Sequence, residues 1–111
     1  MSRAEFDPEI LERKAAEVAG VLRAIANARR LTILCRLVEQ GEATPTTLAA
    51  SVGLSQPALS QHLAKMRGEG LVSYRREGQT LWYRIADPRL ERLFAVLHDE
   101  FCATDTTVTE E

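Results

Sequence analysis

The strongest constraint in this sequence is the stretch from Thr44 to Gly68, where a glycine turn separates two short helical patterns. Thr44 can cap a helix over residues 44–52, with Pro45 at its first position, where no intrahelical N–H is needed. Leu48, Ala49 and Val52 give that helix an inward face. Gly53 breaks the pattern, and Ser55 is placed to cap a second helix over residues 56–68. In it, Leu59, Leu63 and Met66 form a stripe that packs, while Gln56, Pro57, Ser60, Gln61 and Lys65 are left outward. This is a helix-turn-helix pattern. Its second helix must bury one face on the first and leave the opposite face for a major groove. Glutamine and serine can read base edges, and lysine can meet phosphate. The first turn also offers backbone N–H groups to a phosphate. An ordinary helical hairpin with a solvated polar face fits the same pattern, so the residues after Gly68 decide between the two.

Beyond Gly70 the hydrophobic period changes. Residues 71–76 and 81–85 are β-rich, and Glu77-Gly78-Gln79-Thr80 between them reads as a short turn. Arg75 and Arg76 lead into this hairpin, Gln79 and Thr80 lie in its turn, and Arg84 comes after it. A basic hairpin beside a recognition helix is a wing, whose tip can reach flanking backbone or a minor groove. Three further helices frame the unit. Residues 8–26 carry a stripe of Leu11, Ala15, Val18, Leu22 and Ile25 after a cap at Asp7 and Pro8. Residues 28–40 carry Leu31, Leu34, Cys35 and Val38, and Gly41 is placed to end them. Residues 88–102 carry Leu90, Leu93, Phe94, Leu97 and Phe101. The expected fold is mainly α with a small β-hairpin wing, a winged helix-turn-helix in the order ααααββα. One domain spans 1–103, and an acidic disordered tail occupies 104–111. His62 borders the buried face of its helix, so it reads as a hydrogen-bonded structural residue rather than a base contact or metal ligand.

Charge bears on the partner. The net charge is -2 and the pI about 5.7, unusual for a nucleic-acid binder. Its distribution says more. Residues 56–84 carry Lys65, Arg67, Arg75, Arg76 and Arg84 against Glu69 and Glu77, a net +3. Residues 98–111 carry five acids and no lysine or arginine. The basic block therefore coincides with the candidate DNA-binding unit. No apolar run is long enough to cross a membrane, and the polar N-terminus does not read as a signal peptide, so the chain is expected to be cytoplasmic. It is not expected to be an enzyme: it has no glycine-rich phosphate loop, nucleophile signature, paired catalytic carboxylates or Cys-x-x-Cys. A winged-helix protein–protein module is the rival reading. Such a module would present apolar anchors where this chain presents Gln56, Ser60, Gln61 and Lys65.

The segments AIANARRLTILCRLVEQGE, LAASVGLSQPALSQHLAKMRGEGLV and YRREGQTLWYRI resemble the arsenic-repressor (ArsR/SmtB) family of winged-helix regulators. The likeness runs from about residue 20 to 101 and is most specific from Ser55 to Tyr83. It implies a homodimer formed by the first and last helices, and binding to double-stranded operator DNA that an inducer relieves. It implies base-reading by Gln56, Ser60 and Gln61, with Arg75, Arg76 and Gln79 on the wing. Arg29 and Arg30 match the loop before the family's second helix, where phosphate contacts, subunit salt bridges and plain solvation are all open.

Many members of that family sense metals through residues this chain lacks. The third helix, EATPTTLAAS, has no cysteine, and Asp87 is followed by Arg89 where a histidine would be wanted. No metal and no cofactor are therefore expected. Cys35 and Cys102 instead resemble the persulfide-responsive BigR/SqrR-like branch, which uses one cysteine from each of these two helices. The resemblance implies reactive sulfur species as inducer. One thiol is persulfidated and the second attacks it, tying the second helix to the last and changing the angle between two recognition helices. From periodicity alone Cys35 reads as a core residue. General oxidation of the same pair is a further trigger, and a soft metal or haem held by the cysteines is the alternative signal.

Overall fold

The structure is a computed structural model that describes residues 7–103, the side chains of residues 102 and 103 excepted. The expected tail, 104–111, lies outside the described residues. The chain divides into two compact units between Leu31 and Thr32.

The first unit holds α1 (Pro8–Ile25) and the opening turn of α2 (Ala28–Gln40). Asp7 starts α1 by accepting a hydrogen bond from the Glu9 N–H at 2.9 Å, with Pro8 at the position that needs no donor. The helix stops at Ile25, one residue short of expectation, with Ala26 as its cap. Of its predicted stripe only Ile25 is buried, while Leu11, Val18 and Leu22 are exposed, as is Ile10. Arg30 closes the turn into α2. Its Nη1 donates to the Ala24 carbonyl at 2.7 Å, and its backbone N–H donates to Asn27 Oδ1 at 3.1 Å. The side chain is buried because it satisfies a carbonyl that the end of α1 leaves without a helical donor. Arg29, its neighbour, is exposed.

The second unit holds the rest of α2, then α3 (Pro45–Val52), α4 (Gln56–Gly68), β1 (Val72–Glu77), β2 (Thr80–Ile85) and α5 (Pro88–His98). A π-helical turn, Asp99–Ala103, completes it. This is the winged helix-turn-helix arrangement that the sequence predicts. α3 packs on α4, α4 on β1, and both α3 and α5 on β2. The core comprises Ile33, Leu34 and Leu37 from α2, Leu48 from α3, Leu59, Leu63 and Met66 from α4, and Val72, Ile85, Leu90 and Phe94 beyond. Burying this apolar surface is the main favourable term in the fold.

Four details differ from the sequence reading. In α2 the deepest residues are Ile33, Leu34 and Leu37, and Leu31, Cys35 and Val38 are only half-buried. Six of the eight residues from Leu31 to Val38 are apolar, so the helical period defines a broad arc and not its centre. The hairpin turn is tighter than expected. Glu77 pairs with Thr80, leaving Gly78-Gln79 as a two-residue loop with positive φ only at Gly78, the type II′ pattern that matches strand twist. Leu71 precedes the strand, and its N–H instead donates to the Met66 carbonyl at 2.9 Å to close α4. Finally, the last α-helix ends at His98 and not at 102. The change of winding coincides with Asp99 and Glu100, acids at a C-terminal end that disfavours negative charge.

Candidate nucleic-acid interface

The helix-turn-helix is assembled by local chemistry. Thr44 Oγ1 accepts from the Thr47 N–H at 3.2 Å to start α3. Gly53 ends it in the left-handed region at φ 71°, and Leu54 donates back to the Ala49 carbonyl at 3.0 Å. Ser55 Oγ accepts from the Ala58 N–H at 3.3 Å to start α4. Leu59, Leu63 and Met66 are buried. Pro57, Ser60, Gln61 and Lys65 are exposed, at the helical spacing i, i+3, i+4 and i+8, on the face opposite that stripe. Gln56 is exposed too, but its Nε2 donates to Thr46 Oγ1 at 2.8 Å, joining the start of α4 to α3. His62 is half-buried, and among the described residues it has no hydrogen-bond partner, in contrast to the expectation.

The wing stands on a paired frame. Val72 faces Ile85, Tyr74 faces Tyr83, and Arg76 faces Leu81 on one side of the hairpin. Tyr74 and Tyr83 meet at 5.3 Å between ring centres, and the Arg67 guanidinium lies 4.9 Å from the Tyr74 ring. Burial pushes the Tyr83 hydroxyl pKa up. Arg76, Gln79 and Thr80 are exposed at the far end. The other side of the hairpin carries Ser73, Arg75, Trp82 and Arg84. There Arg75 is engaged within the protein. Its Nε and Nη2 donate to the two carboxylate oxygens of Glu42 at 2.9 and 3.0 Å, and its guanidinium lies 5.6 Å from the Trp82 ring. The Arg75 guanidinium in turn holds the Glu42 carboxyl below the usual range. Ala43, next to Glu42, exchanges two backbone hydrogen bonds with Tyr83, at 2.8 and 3.0 Å, so the connector before α3 runs along the free edge of β2.

Cys35 lies on the helix predicted for it, whereas Cys102, expected at the end of the last helix, lies beyond α5. Cys35 is half-buried on α2, beside the core stripe rather than in it. Cys102 lies in the π-helical turn, and its side chain is outside the described residues. One polar chain ties these elements together. Arg36 Nη1 donates to Glu39 Oε1 at 2.7 Å, and the other Glu39 oxygen meets His98 Nε2. Glu39 is four residues after Cys35, and His98 four residues before Cys102. Glu42, Thr46, Trp82 and the Glu39–His98 pair escaped the sequence reading. Their partners are distant along the chain, and only the pairing of Arg75 with Trp82 was implicit, in the hairpin register.

Comparison with known proteins gives consistent results. A family model described as a bacterial regulatory protein of the arsR family matches residues 27–74. The transcriptional activator HlyU of Vibrio cholerae is 40% identical over 92 residues, covering 83% of this chain and 84% of that protein. A biofilm growth-associated repressor of Agrobacterium fabrum is 39% identical over 95 residues, covering 86% of this chain and 80% of the repressor. The crystal structure of the transcriptional repressor BigR from Xylella fastidiosa superposes with a TM-score of 0.79 at 36% identity, covering 88% of this chain and 96% of BigR.

Proposed function

The chain belongs to the arsR family of bacterial regulatory proteins, and from that premise we propose a homodimeric repressor that reactive sulfur species release from its operator. Its relatives are transcriptional regulators, and DNA binding is the activity of the family. The observation that carries the reading is α4: a helix capped at Ser55, buried on one face, and polar on the opposite face beside a wing. In this reading Gln56, Ser60 and Gln61 read base edges, with Pro57 against the groove wall and Lys65 on a phosphate. Gln56 exchanges Thr46 for a base when it does so. Arg76, Gln79 and Thr80 serve the wing tip, and the neighbouring Arg75, on the opposite face, is held by Glu42. The exposed apolar residues of α1 and the exposed Leu93 and Val96 of α5 are the surfaces assigned to dimerisation. No described helix is long and apolar enough to cross a membrane.

The sensor assigned here is the pair Cys35 and Cys102. Supporting this are the half-exposed position of Cys35, the Glu39–His98 contact one turn from each cysteine, and the likeness to BigR. The chemistry balances without an external oxidant. A persulfide donor transfers its outer sulfur to one thiol and leaves as the reduced thiol. The second cysteine attacks the inner sulfur of the new persulfide, forming a disulfide and expelling hydrogen sulfide. When both thiols carry persulfides, the same step yields a trisulfide. The test is binding of reduced, full-length protein to duplex DNA selected from a random pool, before and after glutathione persulfide, oxidised glutathione or Zn(II). Intact mass spectrometry accompanies each sample. Binding is expected to be lost with persulfide alone, with a sulfur bridge between the cysteines. Cys35→Ser and Cys102→Ser should each bind DNA normally and ignore persulfide. A variant that still responds removes the cysteine pair as sensor, and failure to select any duplex removes the DNA-binding reading.

A further inference from the structure

Arg75 and Arg76 are adjacent and equally charged, yet the strand turns them to opposite faces of the wing. Among the described residues Arg76 makes no ion pair. Arg75 is held mainly by two donors on the two oxygens of Glu42, at 2.9 and 3.0 Å, with the Trp82 ring beside its guanidinium and a looser ion pair to Glu77 at 3.6 Å. An ordinary exposed ion pair restrains little. A two-point contact between a guanidinium and a carboxylate fixes orientation as well as distance, and ring stacking removes further freedom. Glu42 stands in the connector between α2 and α3, next to the residue that pairs with Tyr83. The ion pair therefore spans β2 and joins β1 to the segment that leads into the helix-turn-helix.

We propose that Arg75 is a positioning residue: with Glu42 and Trp82 it clamps the wing to the α2–α3 connector and so sets where Arg76 and Gln79 meet DNA. This rests on the DNA-binding role of the wing and reassigns one residue within it. A phosphate that drew Arg75 away would leave the Glu42 carboxylate unpaired beside the DNA's own negative charge. Among the described residues Arg76 has no such internal competitor.

The counterion slope separates a phosphate contact from a positioning role, because each phosphate neutralised adds about 0.9 to the slope of log K against log salt. Wild type, Arg76→Ala, Arg75→Ala, Arg75→Lys and Glu42→Gln are titrated into the selected duplex at several salt concentrations. Arg76→Ala is expected to lower the slope by about one. Arg75→Ala should weaken binding about tenfold at an unchanged slope. Arg75→Lys keeps the charge but not the fork, and should weaken binding as much as Arg75→Ala does. Glu42→Gln should weaken binding similarly, and the Arg75→Ala, Glu42→Gln double variant should be no worse than either alone. A slope lowered by Arg75→Ala, retained affinity in Arg75→Lys, or tighter binding by Glu42→Gln would each overturn the clamp. Amide hydrogen exchange of residues 72–85 in the free protein gives a readout independent of DNA. Glu42→Gln and Arg75→Lys should both speed exchange there, and unchanged exchange overturns the proposal even if no duplex binds.

Discussion

Gly53 illustrates what one residue contributes to the interface. It ends α3 at φ 71°, a region that residues with a Cβ enter at a cost of roughly 1–2 kcal/mol. No atom lies within 4 Å of where a Cβ would stand, so crowding adds nothing to that cost. Gly53→Ala is therefore expected to destabilise the protein by about 1 kcal/mol, seen as a lower urea midpoint at unchanged slope. Gly53, Ser55 and Thr44 were legible in the sequence because a turn or a cap is decided within a few residues. Arg30 and Arg75 were not. Each is a cation whose role is set by an acceptor elsewhere, the Ala24 carbonyl in one case and Glu42 in the other.

Among the elements, α2 and its connector concentrate the electrostatics. Arg36 holds the Glu39 carboxyl below its usual range, and Arg75 does the same for Glu42. Arg89, donating from both side chain and backbone, lowers Asp87 at the start of α5. A carboxyl whose folded pKa is depressed binds fewer protons folded than unfolded. Its contribution is present above the unfolded value, 4.5 for glutamate and 3.8 for aspartate here, and is lost as pH falls through the folded one. Stability should therefore drop between about pH 5 and about pH 3. Denaturant midpoints measured across that range are expected to fall, and Glu39→Gln should flatten the fall. The elements themselves were largely legible. Their type and order derive from hydrophobic period and caps, whereas the buried centre of α2 was misplaced because nearly every residue there is apolar.

For the whole molecule, the apolar face of α1 is the feature a single chain leaves unexplained. Ile10, Leu11, Val18 and Leu22 are each about half exposed along one helix. Exposed apolar rows of this kind mark association surfaces. Val18→Glu is expected to yield a monomer by sedimentation, with helix content retained and operator affinity reduced at least tenfold, because each half-site then binds alone. A dimer that survives the substitution would remove α1 from the proposed subunit interface. The acidic overall charge does not oppose DNA binding, since the basic block from Lys65 to Arg84 lies on α4 and the wing.

Fold class, helix-turn-helix, hairpin and the outward residues of α4 were readable from local sequence, because periodicity, capping and turn chemistry act over short stretches of chain. Which polar side chains are engaged inside the protein before any partner arrives depends on contacts between distant elements. Gln56 is held by Thr46, Arg75 by Glu42, and His98 by Glu39, and each pair joins residues that no local rule brings together. Hydrophobic patterning says which face of an element is covered. It is the packing of elements that brings a charge on one within reach of an opposite charge on another.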